Sequence, residues 1–403
     1  MTTENVYIIQ PVLPESSSDA LHAEAVALIE SAGATYAGTL YARIREINPA
    51  TFLGEGKVAE LKERLEGLDL TVLFNGDLSP SQTVNLSEAL GGKKVIDRTT
   101  LILDIFALRA ESSEGKLQVE LAQLRYLYPR LKGKGSALSR LGGGIGTRGP
   151  GETQLETARR HIRMRIRSLE EKLSKTEQRR GLQAERRKKD GVRTVALVGY
   201  TNTGKSTLLN VLPGANVLVK DALFATLDPT SRKLEIDGMD FLLTDTVGFL
   251  RDLPHHLIEA FKSTLESALH CDLALIVCDA GGDYETQLET TLSTLREMGF
   301  SSPYLIVINQ CDRAHPEARF PKDAVCISAK YGRGLALLKQ KIFESLERRF
   351  IKAELFVPYA NAAKYAALRS LVTEREVSYT DDGSHILAVI PAEHAAKFRP
   401  YLK

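Results

Sequence analysis

Residues 195–207 read VALVGYTNTGKST, and this stretch decides the fold of the chain around it. The apolar run Val195–Val198 predicts a short buried strand, and the leucines after Lys205 predict a helix. Between them lies the spacing G-x-x-x-x-G-K-S, typical of a loop whose backbone N–H groups wrap a phosphate at a helix N-terminus. The predicted phosphate-binding residues are Gly199, Tyr200, Thr201, Asn202, Thr203, Gly204, Lys205, Ser206 and Thr207.

Two side chains of this loop and one downstream motif have predicted roles at the outer phosphates. Lys205 is expected to reach those phosphates, and the Ser206 hydroxyl is expected to hold Mg²⁺. The segment 245–248, DTVG, follows an apolar strand. Asp245 is therefore predicted to bind Mg²⁺ through water, and the Gly248 N–H to contact a γ-phosphate.

Two short motifs at the ends of later strands predict which base is bound. Residues 309–312 read NQCD and residues 328–330 read SAK. The Asp312 carboxylate can accept hydrogen bonds from guanine N1–H and N2–H, which adenine does not offer, and the Ala329 N–H can donate to guanine O6. The predicted substrate is therefore GTP, with base-side residues Asn309, Gln310, Asp312, Ser328, Ala329 and Lys330.

The first switch and the catalytic step are less fully specified by the sequence. Residues 220–233, KDALFATLDPTSRK, must supply the switch, and Thr226 or Thr230 can join the Mg²⁺ shell when a γ-phosphate is present. Phe249 stands where a water-orienting glutamine is expected after Gly248. We therefore predict slow intrinsic GTP hydrolysis that a partner accelerates.

Composition is ordinary for a multidomain globular protein of 403 residues, with 43% hydrophobic residues, 26% charged residues and a net charge of +2. No stretch approaches the ~20 apolar residues of a membrane span, and the start lacks a secretory leader pattern, so a cytoplasmic location is expected. The cysteines lack the spacing of a zinc site and are predicted to be reduced thiols.

The chain divides into four predicted parts around the nucleotide-binding domain. Alternating strands and helices predict a small α/β domain over 1–97, and residues 98–190 predict a helical hairpin with a glycine-rich basic loop at 132–152. The GTPase domain is expected at 191–350, with near-continuous apolar strands forming a mostly parallel sheet. A small α+β domain is expected at 351–403.

Basic residues concentrate in the hairpin. Its glycine-rich loop cannot bury enough side chain to order by itself, and the helix after it is rich in arginine. Both features favour a polyanionic partner such as RNA, with a solvated linker and a solvated helix face as the alternatives. The candidate RNA-binding residues are Arg140, Arg148, Arg159, Arg160 and Arg163.

The order of the nucleotide motifs resembles translation-factor-like P-loop GTPases, although Gln310 replaces the usual lysine of the third motif. The whole chain resembles the HflX family of ribosome-associated GTPases. The resemblance lies in FLGEGKVAEL (52–61), SRLGGGIGTRGPGETQLETARR (139–160), FATLDPT (224–230) and DTVGFLRDLPHHLIEAFKSTLE (245–266). The family pattern favours Thr226 as the switch threonine and adds Phe224 to the nucleotide site, so the predicted catalytic residues are Lys205, Thr226 and Gly248.

The resemblance also implies a function and partners. The chain is expected to bind the large ribosomal subunit and to split stalled or stress-damaged ribosomes, with the hairpin contacting ribosomal RNA near the peptidyl transferase centre. A monomer is expected. Two alternatives stay open: an ATP-driven RNA-remodelling enzyme that uses GEGK at 54–57, and a nucleotide-regulated scaffold with little hydrolysis.

Overall fold

The computed structural model describes residues 4–12, 18–139, 150–189, 192–214, 230–250, 268–315, 317–347 and 350–402. Among these residues the chain forms two compact units, 4–176 and 177–402. Three separate sheets lie at the positions of the predicted α/β, GTPase and α+β domains. The predicted fold class is confirmed, and the four-part division of the chain stays a prediction.

A parallel four-stranded sheet begins the first unit. Its strands lie in the order β2-β1-β3-β4, and the bounds are Asn5–Val12 (β1), Thr35–Arg43 (β2), Thr71–Phe74 (β3) and Val95–Asp97 (β4). The helices are Ser18–Ser31 (α1), Glu55–Arg64 (α2), Pro80–Ala89 (α3) and Arg98–Arg109 (α4). Ser79 and Gln82 form a capping box at α3, which satisfies two N–H groups at the helix start.

The helical hairpin consists of α5 (Ser113–Ser139) and α6 (Pro150–Lys189). Leu121, Leu169 and Leu173 form its apolar seam, as the leucine spacing predicts. The sequence placed the start of the glycine-rich loop at Lys132, but the structure extends α5 to Ser139. Once a helix has formed, each added residue gains one hydrogen bond, and the Lys, Ala, Leu and Ser residues beside Gly133 and Gly135 tolerate helical geometry. Of the rest of the predicted loop, 140–149 lies outside the described residues and 150–152 forms the start of α6.

A six-stranded sheet forms the centre of the second unit. Its order is β10-β9-β8-β5-β7-β6, and every pair is parallel except β6 with β7. The strands are Arg193–Gly199 (β5), Ser231–Ile236 (β6), Met239–Asp245 (β7), Leu273–Asp279 (β8), Tyr304–Asn309 (β9) and Val325–Cys326 (β10). The helices are Lys205–Val211 (α7), Tyr284–Glu297 (α8) and Leu335–Glu347 (α9). Buried apolar clusters cover both faces of the sheet, which is why its central strands β5, β8 and β9 are nearly continuous hydrophobic runs, whereas the edge strand β6 alternates.

A three-stranded antiparallel sheet of order β11-β13-β12 ends the chain, with bounds Phe350–Pro358 (β11), Thr373–Tyr379 (β12) and Gly383–Pro391 (β13). Short helices Ala362–Ala366 (α10) and Ala395–Phe398 (α11) accompany it. The helix α9 ends at Glu347, and Phe350, the last residue of the predicted GTPase domain, begins β11. Val389 of β13 packs into the hydrophobic core of the six-stranded sheet. Within the described ranges, no helix combines the length and apolar character that crossing a bilayer requires.

Candidate functional site

Four loops that carry the predicted nucleotide motifs meet at one edge of the six-stranded sheet. The phosphate loop follows β5, DTVG begins at the end of β7, NQCD begins at the end of β9, and SAK follows β10. Because these four strands are parallel, their carboxyl ends lie at the same edge, where open α/β sheets bind ligands. The structure therefore brings the described motif residues together.

The two glycines of the phosphate loop are required by close contacts. Gly199 has a φ of +152°, and a Cβ placed there would lie 2.1 Å from the Val277 carbonyl oxygen. Gly204 has a φ of +87°, and its Cβ would lie 2.3 Å from Asn309 Nδ2. A side chain at either position would strain the backbone and collide with the neighbouring strand end.

Lys205 lies buried inside the phosphate loop. Its Nζ donates to the carbonyl oxygens of Gly199, at 3.0 Å, and Tyr200, at 2.6 Å. Burial lowers the pKa of Lys205 to about 8, against the opposing effect of the nearby Asp245 carboxylate. A desolvated ammonium group that donates to neutral carbonyls, with a carboxylate nearby, is well suited to receive an anionic phosphate.

Ser206 and Asp245 form the oxygen-rich corner of the site. The Ser206 hydroxyl donates to Asp245 Oδ2 at 2.7 Å, and the Asp245 side chain is buried. A hydroxyl beside a carboxylate fits the preference of Mg²⁺ for oxygen ligands with several retained waters. Across the parts of the chain that the structure describes, no group of three His, Cys, Asp or Glu side chains could hold a metal ion by itself.

Asn309 and Gln310 connect the base side of the pocket to the phosphate loop. Asn309 Nδ2 donates to the Thr203 carbonyl at 2.8 Å, and Asn309 Oδ1 accepts from the Ala329 N–H at 3.0 Å. Gln310 Nε2 donates to the Asn202 carbonyl at 3.0 Å. Gln310 therefore tethers the phosphate loop, a role that the sequence did not predict. The sequence assigned the Ala329 N–H to guanine O6, whereas in this structure it donates to Asn309.

Asp312 is held as a charged acceptor. The Ser328 hydroxyl donates to Asp312 Oδ1 at 2.5 Å. This hydrogen bond is the main reason that the pKa of Asp312 lies below its ordinary value, with smaller contributions from the Lys330 and Arg313 charges. A carboxylate with one oxygen fixed by Ser328 is oriented in advance for the two donors of a guanine edge.

The residues after DTVG pair with the phosphate loop. The Phe249 N–H donates to the Gly199 carbonyl at 3.0 Å, and the Thr201 N–H donates to the Phe249 carbonyl at 2.8 Å. A Cβ on Gly248 would lie 2.8 Å from the Thr201 Cα, so this close approach requires glycine. Phe249 is 2% exposed and packs in an apolar cluster with Tyr200. This position therefore offers no group that could orient water.

Four of the predicted site residues lie outside the described part of the chain, and one candidate switch threonine lies within it. Phe224, Thr226, Arg140 and Arg148 lie outside the described residues. Thr230 is exposed, and its carbonyl accepts a hydrogen bond from the Asp245 N–H at 2.9 Å. The choice between Thr226 and Thr230 as the switch threonine therefore stays a prediction.

The candidate RNA-binding arginines of α6 surround a tyrosine of α5. Arg163 Nη2 donates to the Tyr128 hydroxyl at 2.6 Å, and the Arg159 guanidinium carbon lies 5.8 Å from the centre of the Tyr128 ring. Arg160 is exposed. Arg165, by contrast, makes two hydrogen bonds to Glu120, at 2.6 and 2.7 Å, so its charge is largely matched within the hairpin.

The GEGK segment at 54–57 forms the start of α2. Lys57 Nζ pairs with Glu60 Oε2 at 2.7 Å within the same helix. A Cβ on Gly54 or Gly56 would meet no atom of the described chain within 4 Å. These glycines therefore lack the close contacts that Gly199 and Gly204 make, and the segment has the geometry of an ordinary helix start.

Comparisons with known proteins agree with this geometry. Three family models match consecutive regions: "GTP-binding GTPase N-terminal" over 19–107, "GTP-binding GTPase Middle Region" over 109–187 and "50S ribosome-binding GTPase" over 194–310. The chain is 46% identical to the GTPase HflX of Caldanaerobacter subterraneus subsp. tengcongensis over 384 residues, which cover 93% of this chain and 88% of the relative. It is 42% identical to the GTPase HflX of Escherichia coli (strain K12) over 374 residues, which cover 90% of this chain and 87% of that relative.

A solved structure is also similar. It is a GTP-binding protein from the archaeon Sulfolobus solfataricus in complex with GDP. The identity is 25% and the TM-score is 0.46, and the match covers 86% of this chain and 99% of that one.

Proposed function

The chain belongs to the HflX family of GTPases, which hydrolyse GTP to GDP and phosphate, and we propose that it acts on the large ribosomal subunit. In this proposal, bound GTP favours attachment to the subunit, stalled or stress-damaged ribosomes are split, and hydrolysis releases the protein as a monomer. The observation that carries the proposal is the combination, in one chain, of a guanine-type pocket with an arginine-rich helical hairpin.

The surface around Tyr128 supports RNA as the partner of the hairpin. Arg159 and Arg163 both lie beside the Tyr128 ring, at 5.8 and 5.7 Å from its centre. Guanidinium groups bind phosphates, and an aromatic ring can stack on an unpaired base, so this cluster combines both modes of RNA recognition. Exposed Arg160 extends the same basic surface. Arg140 and Arg148, in the segment between the helices, are proposed as further RNA contacts.

Mg²⁺ is proposed as the metal of the GTP site. Ser206 and Asp245 would hold it, together with Thr226 when the γ-phosphate is present, because the hydroxyl and carboxylate oxygens already lie side by side. When bound, Mg²⁺ neutralises charge that develops on the phosphates. Lys205 is proposed to bind the outer phosphates, and the Gly248 N–H to contact the γ-phosphate.

Slow intrinsic hydrolysis is proposed from the position of Phe249. Its ring is buried in the apolar cluster, and the backbone around it is hydrogen-bonded to the phosphate loop. A group that orients the attacking water must therefore come from elsewhere in the chain or from the ribosome. This arrangement predicts that the large subunit raises the turnover rate.

The central experiment measures GTP turnover while purified large subunits are titrated into the full chain. We expect turnover to rise with large subunits and to stay at its basal level with small subunits. Arg159→Ala combined with Arg163→Ala should weaken this stimulation and leave GTP affinity intact. The matched control is Lys62→Ala with Arg64→Ala, which removes two exposed charges from α2. Turnover that is indifferent to large subunits would contradict the proposal.

A second experiment separates binding from splitting. Cosedimentation with separated subunits, in GDP and in a non-hydrolysable GTP analogue, should show retention on the large subunit mainly with the analogue. Light scattering of intact ribosomes should then fall on addition of protein and GTP. Retention without a fall in scattering would leave the nucleotide-regulated scaffold as the better description.

A further inference from the structure

Two cysteines lie together behind the guanine-recognition loops. Cys311 stands between Gln310 and Asp312, and Cys326 of β10 stands two residues before Ser328. Strands β9 and β10 are parallel, with Cys326 opposite Ile308. The Cys311 N–H donates to the Ile327 carbonyl at 3.0 Å, and the Cys311 thiol donates to the Ile308 carbonyl at 3.2 Å. Val325 and Ile327 belong to the apolar core on one face of the sheet, so Cys326 between them faces the other side, where Cys311 packs.

The surroundings of this pair differ from those of the other two cysteines. Cys326 is exposed and Cys311 is half-buried, whereas Cys271 and Cys278 are buried in the apolar core. Burial, followed by the Cys326 thiol, raises the pKa of Cys311 to about 11. Cys311 is therefore protonated at neutral pH, and Cys326 is the sulfur that a reagent in solution meets first.

A metal site does not account for the pair. Two sulfurs alone do not complete a structural zinc site, which takes four ligands. Throughout the described ranges, no third Cys, His, Asp or Glu joins them to form a metal-binding group. The remaining chemistry of two adjacent thiols, one of them exposed, is oxidation.

We propose that Cys311 and Cys326 form a reversible disulfide under peroxide stress and that this bond weakens guanine nucleotide binding. In the first step, the Cys326 thiolate attacks one oxygen of hydrogen peroxide, giving a sulfenic acid and one water after protonation. In the second, the Cys311 sulfur displaces the sulfenic hydroxyl, which leaves as a second water with the Cys311 proton. The peroxide takes up two electrons, and the two thiols lose them.

The consequence for the nucleotide follows from the neighbours of Cys311. A disulfide fixes the two sulfurs about 2.05 Å apart, much closer than two thiols that are not bonded to each other. Cys311 must then move towards β10, and Asp312 moves with it. The Ser328–Asp312 hydrogen bond of 2.5 Å orients the carboxylate for guanine, so a shift of this loop misaligns that acceptor. This inference rests on the proposed guanine site and adds its regulation.

The experiment uses the full chain, reduced and then treated with hydrogen peroxide. Free thiols are blocked by alkylation, and a non-reduced digest is analysed by mass spectrometry. We expect a peptide pair joined through Cys311 and Cys326, with Cys271 and Cys278 alkylated only after denaturation. Affinity for a fluorescent GDP analogue should fall about tenfold on oxidation, the loss expected when one hydrogen bond to a charged group is weakened, and should recover with dithiothreitol.

Cys326→Ser and Cys326→Ala supply the controls, because replacing an exposed thiol by a small side chain opens no buried cavity. Both variants should bind the analogue as the reduced wild type does and should not respond to peroxide. Absence of the joined peptide overturns the proposal, and so does a disulfide that leaves affinity unchanged. Failure of the guanine site itself would be recognised separately, since the reduced wild type would then not bind the analogue.

Discussion

The Asn309 side chain donates a 2.8 Å hydrogen bond to the carbonyl of Thr203, which lies 106 residues earlier in the chain. Its other end accepts a 3.0 Å hydrogen bond from the Ala329 N–H. One buried amide therefore joins the phosphate loop, the NQCD loop and the SAK loop. The positions of the phosphate-binding and base-binding halves of the pocket depend on each other through this side chain.

Asn309→Ala is expected to weaken GDP binding by about 10- to 100-fold, because it leaves a buried carbonyl and a buried N–H without their partner, at about 1–3 kcal/mol each. Fluorescence titration would measure the loss of GDP affinity, and thermal unfolding would measure the loss of stability from the two unpaired groups. Asn85→Ala is the matched control, since the Asn85 amide makes an exposed hydrogen bond to the Ala50 carbonyl, at 2.9 Å. An Asn309→Ala variant that binds GDP as the wild type does would contradict this role.

Asp312→Asn should change the base preference from guanine to xanthine. An asparagine amide can donate to the xanthine oxygen that replaces the guanine amino group, whereas the wild-type carboxylate can only accept. Competition between GTP and xanthosine triphosphate would measure the change. Ser328→Ala should keep the preference for guanine but lower its affinity, because the carboxylate loses its 2.5 Å orienting hydrogen bond. A preference for ATP in the wild type would show that Asp312 does not read guanine.

Lys205 should take up a proton when nucleotide binds at alkaline pH. Burial lowers its pKa to about 8 in the nucleotide-free protein, and the negative phosphates must raise the pKa again in the complex. Between those two pKa values the complex holds one more proton, so affinity should fall as pH rises above about 8. Calorimetry at pH values above this point, in two buffers of different ionisation enthalpy, would measure the uptake.

Lys205→Arg is the control for this linkage, because arginine stays charged throughout the range and takes up no proton. Subtracting the proton uptake of the variant from that of the wild type removes the contribution of the nucleotide's own titrating groups. Equal proton uptake by the two proteins would show that Lys205 is already fully charged before binding.

Gly199→Ala should destabilise the protein by about 2 kcal/mol or more, because the added methyl group cannot fit beside the Val277 carbonyl and the positive φ disfavours alanine. Gly56→Ala in α2 is the control. Its methyl group meets no described atom within 4 Å, and alanine in a helix should stabilise by about 0.5–1 kcal/mol. Chemical denaturation of both variants would measure the free energies of unfolding. Equal stability of the two variants would mean that the loop adapts to a side chain.

Much of the site follows from local sequence. The spacing of Gly199, Gly204 and Lys205 predicts a phosphate loop because the backbone geometry of that loop is short-range. Apolar runs before each motif predict buried parallel strands, and the carboxyl ends of such strands share one edge. The sequence could therefore predict the assembly of four distant motifs without any knowledge of their contacts.

Other features depend on contacts that no periodic pattern encodes. Gln310 stands where the third nucleotide motif usually has lysine. Only the folded chain shows that the Gln310 amide reaches the Asn202 carbonyl, 108 residues away. Likewise, the sequence assigned the Ala329 N–H to the base, but packing turns it towards Asn309. Such contacts require the register of neighbouring strands and the rotamers of packed side chains.

Residue type and spacing over a few turns or strands were enough to predict the order of the nucleotide motifs, a guanine acceptor at Asp312 and a basic hairpin. Three features depended on the tertiary structure: Phe249 is buried in an apolar cluster, Arg165 pairs with Glu120, and Cys311 lies on the same side of the sheet as Cys326. Residues distant in sequence meet only after the sheet and helices have packed, and packing then selects which side chains touch.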